Sequence, residues 1–137
     1  MSLKSIIVVL SLLLSPALLA NSLGQLNPEQ LQSLQQSQNA LIVDVRTPAE
    51  WQASGVIANS HKLQGFDNNG KFDADKWSSD LQKLKSSAEQ PVILVCRSGN
   101  RSSKIGEILA QRGENNIYHL SNGIQGWIQS GLPVKAD

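Results

Sequence analysis

A chain of 137 residues, 40% hydrophobic and 17% charged, carries enough apolar material for one core and too little charge for a disordered protein. Its formal net charge of +1 excludes the global field that draws nucleic acid or an acidic membrane, so any anion preference must be local. A single cysteine excludes an intramolecular disulfide.

The first residues read as an export signal and not as part of the fold. Met1 to Lys4 is a short basic stretch, Ile6 to Leu14 is apolar, and Ser15 to Ala20 ends in small residues, as a signal-peptidase site does. The apolar run is short and interrupted by Ser15 and Pro16, so it suits a bilayer-spanning helix poorly; the rival reading is an uncleaved N-terminal anchor. Residues 1–20 are therefore assigned to the signal and residues 21–137 to one domain without membrane attachment. In an oxidising compartment the lone thiol is either an accident or a working nucleophile.

Leu23 to Leu26 offers a short strand or an extended lead-in. Asn27, Pro28 and Gln30 then open a helix as cap, first helical residue and capping-box partner, with Leu31 and Leu34 on one face and the polar run from Gln35 to Asn39 ending it. Ala40 to Val45 is continuously apolar except for Asp44, the profile of a strand covered on both faces. Thr47, Pro48 and Glu50 repeat the cap, first-residue and third-residue pattern, and Ser54-Gly55 stops that helix. Val56 to Leu63 is loop and short strand, and Gln64 to Lys71 is irregular. Ala74, Trp77, Leu81 and Leu84 mark an amphipathic helix preceded by Asp73. Pro91 to Val95 is a buried strand, Ser102 to Arg112 a helix with Ile105, Ile108 and Leu109 inward, and Gly113 its stop. Ile117 to Leu120 is a further strand, and Asn122 caps a short helix facing inward through Ile124, Trp127 and Ile128. Strands and helices alternate throughout. The expected fold class is α/β, three layers, with a mainly parallel central sheet and helices on both faces. Ligands of such folds sit at the carboxyl ends of the strands, and Cys96 lies at one.

The stretch after that strand carries the chemistry. Cysteine attacks as a thiolate and titrates near 8.5 when free, so a working nucleophile needs help. Three aids are in reach: the cations Arg97 and Arg101, the positive N-terminus of the following helix, and Gly99, which lets successive N–H groups converge on an anion. The bland reading is a structural core cysteine; against it, Cys96 is followed by six residues that are all cationic, small or polar. Asp44 and Arg46 read as a scaffold pair. His61 and His119 lack metal-ligand spacing and read as surface or strand residues, Ser102 and Ser103 as helix caps, and Trp51, Trp77 and Trp127 as packing.

Cys96-Arg97-Ser98-Gly99-Asn100-Arg101-Ser102 resembles the active-site loop of the rhodanese sulfurtransferases. Asp44 to Trp51 is similar to that family's Asp-Val-Arg motif, Gly55 to Leu63 to its Gly-His-Ile loop, and Leu120 to Trp127 to its Gly-Gly-x-x-x-Trp segment. Val56, Asn59-Ser60-His61 and Asn122 depart from the family pattern, the last replacing its first glycine. An export signal followed by one such domain resembles the stand-alone periplasmic members of phage-shock type.

The resemblance implies a rhodanese-like fold and a thiosulfate sulfurtransferase in the periplasm. Cys96 would be catalytic, and Arg97, Ser98, Gly99, Asn100, Arg101 and Ser102 would bind substrate. Four residues separate Cys96 from Arg101, where cysteine phosphatases use five; the shorter loop is sized for a sulfane sulfur. Basic loop residues imply thiosulfate as donor, with cyanide or a thiol as acceptor. No metal, cofactor or nucleic acid is implied, and a monomer is expected. The alternatives are a non-enzymatic persulfide carrier serving a protein partner and, below it, a cysteine-dependent phosphatase.

Overall fold

The computed structural model describes residues 22–137; the proposed export signal, residues 1–20, lies outside them. Five strands and five helices alternate: β1 (Gly24–Leu26), α1 (Pro28–Gln38), β2 (Leu41–Asp44), α2 (Pro48–Ser54), β3 (His61–Lys62), α3 (Ala74–Leu84), β4 (Val92–Val95), α4 (Asn100–Gln111), β5 (Ile117–Leu120) and α5 (Gly123–Gln129). The strands form one parallel sheet in the order β1-β5-β4-β2-β3. No helix among the described residues is long and apolar enough to cross a membrane.

The apolar runs explain the layers. Every residue of β2 and β4 is buried, because strand side chains alternate between faces and both faces are covered. On one face Leu41, Val43, Leu94 and Cys96 pack beneath Trp77 and Leu81 of α3 and Ile105 and Leu109 of α4. On the other, Ile42, Ile93, Val95 and Leu120 meet Leu31 of α1 and Ile124 and Trp127 of α5. Fully burying a side chain such as Ile93 or Leu94 contributes about 1.5–3 kcal/mol, so these two clusters supply the driving force.

Local sequence sets the helix starts. Asn27 and Thr47 each close a reciprocal capping box, with Gln30 and Glu50, and each precedes a proline in the first turn. Asp73 caps α3 through the Lys76 N–H. Four boundaries or faces differ from the sequence reading. The polar run ends α1 only at its last residue: the helix continues to Gln38 and stops where Asn39 turns left-handed (φ 52°). Helix α4 begins at Asn100, two residues before Ser102, because Gly99 (φ 101°) serves as its N-cap. Asn122 precedes α5 without a side-chain capping bond. Ile128 points outward, 44% exposed, since the inward stripe of this short helix is filled by Ile124 and Trp127.

Candidate active site

Cys96 follows β4 at the carboxyl end of the sheet, and its chain turns at once into α4. Two packing contacts fix the turn. A side chain on Gly99 would place its Cβ 2.0 Å from the Ser121 carbonyl oxygen, so only glycine fits there, in a conformation that L-residues rarely adopt. Behind the loop, the Ile124 and Gln125 N–H groups at the start of α5 donate to the carbonyls of Cys96 and Arg97, at 2.9 and 3.0 Å. Gly123 (φ 60°) allows that approach; a Cβ there would lie 2.3 Å from the Arg97 carbonyl oxygen. The substitution of Asn122 for a family glycine is thereby explained: at φ −103° it occupies ordinary backbone space, and the left-handed residue is its neighbour.

The sulfur is enclosed. Cys96 is 1% exposed and belongs to the core cluster beneath α4, whereas the sequence places it just outside the core. The Gly99 N–H donates to Sγ at 3.1 Å; among the described residues it is the one loop N–H that does. Ser102 Oγ lies 3.3 Å from Sγ, donates to the Gly99 carbonyl at 3.2 Å, and stands 2.9 Å from His119 Nδ1. Ser102 therefore is not the helix cap that sequence suggests; it is a fully buried hydroxyl against the sulfur. Ser98 and Asn100 face solvent, and Gly99 is buried.

The cations divide. Arg101 is committed to Glu50 through two hydrogen bonds of 2.7 Å, one to each carboxylate oxygen. That bidentate contact, outweighing partial burial, pulls Glu50 from 4.5 down to about 2, and in return raises Arg101 further. Arg101 is thus not the free cation of the sequence reading: a carboxylate 51 residues away offsets its charge. Arg97 remains exposed, and with the Gln125 amide turned to satisfy both groups, Gln125 Oε1 accepts from Arg97 Nε at 3.0 Å and Nη2 at 3.3 Å.

Arg97 overhangs a cavity of about 440 Å3 between α2 and α5, lined by Arg46, Glu50, Ala53, Ser54, Arg97, Ile124, Gln125 and Ile128. Cys96 does not line it, because Sγ points to the α4 side while the cavity opens on the α5 side. The cavity is a neighbour of the thiol and not its chamber. Beneath it, Arg46 pairs with Asp44 at 2.8 Å and donates to Ser54 Oγ at 2.8 Å and the Gly55 carbonyl at 3.0 Å. These side chains are scaffold, as the sequence reading has them, tying the end of β2 to the end of α2.

Sequence reasoning missed three participants. The capping box alone accounts for Glu50 in the sequence, which hides its second partner, Arg101. Gln125 carries no local signal. His119 does: it falls two residues after Ile117 on one strand, hence on the same buried face, and it is 3% exposed.

The comparisons with known proteins agree with this fold. The family model described as "Rhodanese-like domain" matches residues 27–130. The chain is 29% identical over 111 residues to thiosulfate sulfurtransferase GlpE of Actinobacillus succinogenes, covering 81% of this chain and 89% of that protein. It is 30% identical over 105 residues to a sulfurtransferase of Allochromatium vinosum, covering 77% and 87% respectively. Among solved structures, the polysulfide-sulfur transferase homodimer of Wolinella succinogenes superposes with a TM-score of 0.64 at 25% identity, covering 84% of this chain and 80% of that one.

Proposed function

The chain belongs to the rhodanese-like family of sulfurtransferases, and from that premise we propose that it moves the sulfane sulfur of thiosulfate to a thiophilic acceptor through a persulfide on Cys96. The observation that carries the reading is the seating of Sγ: a glycine N–H at 3.1 Å and a buried hydroxyl at 3.3 Å, inside a loop of four residues between Cys96 and Arg101. Both groups donate to an anionic sulfur.

The reaction runs in two steps. The Cys96 thiolate attacks the outer sulfur of thiosulfate; the new S–S bond forms as the old one breaks, and sulfite leaves with the electron pair of the broken bond. Arg97, exposed at the loop and backed by Gln125, meets the charge of the donor and of the departing sulfite. The Gly99 N–H and Ser102 hydroxyl face the sulfur of Cys96 throughout. In the second step cyanide or a thiol attacks the terminal sulfur and Cys96 leaves as thiolate. Substrates of a few atoms suit a sulfur that is 1% exposed in the resting protein better than a partner protein's surface does.

Intact mass after thiosulfate treatment tests this directly. The reduced protein should gain one sulfur atom and lose it to cyanide, and Cys96→Ser should gain none. An unchanged mass in the reduced wild type would end the proposal, and loading only from polysulfide would reassign the donor. We also propose that residues 1–20 direct export to the periplasm; N-terminal sequencing of the protein from osmotic-shock fluid should begin at Asn21, and recovery only from the cytoplasm with Met1 retained would refute it.

A further inference from the structure

Beside the sulfur lies a buried histidine that the mechanism above does not use. His119 is 3% exposed, its Nδ1 stands 2.9 Å from Ser102 Oγ, and its Nε2 is buried without a hydrogen-bond partner among the described residues. Ser102 in turn is fully buried and touches Cys96 Sγ at 3.3 Å. Cys96, Ser102 and His119 thus form one closed chain of polar atoms on the α4 face of the sheet.

The network decides which ring nitrogen carries the proton. A neutral ring has one N–H. If it sat on Nε2, a donor would be buried with no acceptor, the rarer and costlier defect; if it sits on Nδ1, only a lone pair is left over. The Nδ1–H then donates to Ser102 Oγ. A hydroxyl has a single proton, so once its oxygen accepts from His119, that proton must point elsewhere. Two acceptors are within reach: the Gly99 carbonyl at 3.2 Å and Sγ at 3.3 Å. While Cys96 is a thiol, the proton goes to the carbonyl. When the sulfur is an anion, the proton turns to it, and the carbonyl keeps its bond from the Ser103 N–H at 3.1 Å. Nothing is orphaned by the turn.

The geometry points to His119 as a positioning residue: held as the Nδ1–H tautomer, it fixes the Ser102 oxygen by donating to it, which leaves the hydroxyl proton aimed at the anionic sulfur of Cys96. This deepens the sulfurtransferase reading, since it concerns the same sulfur. The ring acts while neutral and takes up no proton. Burial holds His119 below the usual histidine range, against the weaker pull of the Glu107 carboxylate on α4.

Long-range 1H–15N spectra of the reduced wild-type protein at pH 7 test the tautomer without any variant having to fold. His119 should carry its proton on Nδ1, and a proton on Nε2 overturns the inference. Alkylation of Cys96 by iodoacetamide supplies a readout independent of the sulfur donor. Ser102→Ala and His119→Leu should each slow it about tenfold, the effect of one lost hydrogen bond to an anion, and the double variant should be no slower. His119→Asn, whose amide N–H can stand in for Nδ1–H, should stay within about twofold of wild type. Equal slowing by the Asn and Leu variants, or additive slowing in the double variant, overturns it. A protein that shows the expected spectrum and alkylation pattern yet takes no sulfur from thiosulfate supports this role and refutes only the donor.

Discussion

Two arginine–carboxylate pairs hold α2, and they do so in opposite environments. Helix α2 has seven residues and none of them is buried, so the apolar clusters cannot anchor it. At its carboxyl end Arg46, paired with Asp44, reaches Ser54 and Gly55 from within; both side chains of the pair are 2% exposed or less. At its first turn Glu50 receives Arg101 from the first turn of α4, with both side chains more than a quarter exposed. The chemistry of the two contacts is the same and their consequences differ. A buried pair is costly to form and costlier to break, whereas a partly exposed one is screened and exchangeable. The inner pair therefore builds the platform, and the outer pair sets how much positive charge the loop presents.

Breaking the inner pair should have the largest effect. Asp44→Ala leaves the Arg46 guanidinium buried without its counter-charge and should destabilise the fold by about 3–5 kcal/mol in urea titration; a loss below 1 kcal/mol would show that the pair is not structural. Next comes Arg97, which has no carboxylate partner among the described residues. Arg97→Gln should raise KM for thiosulfate roughly tenfold, the scale of one charge-assisted contact, with the unfolding midpoint unmoved. An unchanged KM would remove Arg97 from substrate binding. Releasing the outer pair should act in reverse. Glu50→Gln should cost under about 1 kcal/mol of stability while lowering KM for an anionic donor, because the charge of Arg101 is no longer offset by a carboxylate; a higher KM would mean that Arg101 must be held in place to serve.

The smallest effect is on acid stability. Glu50 falls from 4.5 to about 2 on folding, so its contribution is fully present above pH 4.5 and disappears as pH drops through about 2. Wild type should lose stability over that window more steeply than Glu50→Gln, and parallel acid limbs would count against the pair. His119 works over a milder range. Its value is depressed by burial, so the unfolded chain binds the proton first and stability declines as pH falls below the usual histidine value near 6.5. His119→Asn should flatten that decline.

Much of this is legible in the order of the residues alone. The capping boxes at Asn27 and Thr47 are local statements, readable because each residue's partner is three positions away. The buried strands β2 and β4 announce themselves as apolar runs, and the loop between Cys96 and Arg101 by its composition. What escaped depends on contacts distant in sequence. The start of α4 follows from the conformation of Gly99, which the Ser121 carbonyl 22 residues later makes a glycine-only position. The neutralisation of Arg101 requires Glu50, and the burial of Cys96 requires α4 to lie across it. Ile128 matches a helical stripe yet faces solvent, because α5 is too short for a second inward turn.

The clamp on the Cys96 loop has a consequence for the order of assembly. The backbone that supports Cys96 and Arg97 is supplied by Ile124 and Gln125, and among the described residues the first strand, β1, pairs with the last, β5, alone. A nascent chain that has reached Leu120 already contains every strand and the whole loop from Cys96 to Ser102. It still lacks the two N–H groups behind that loop and the carbonyl that confines Gly99. The thiol is thus written in mid-sequence and seated from the far end, so a truncated or still-emerging chain would carry it without its cradle.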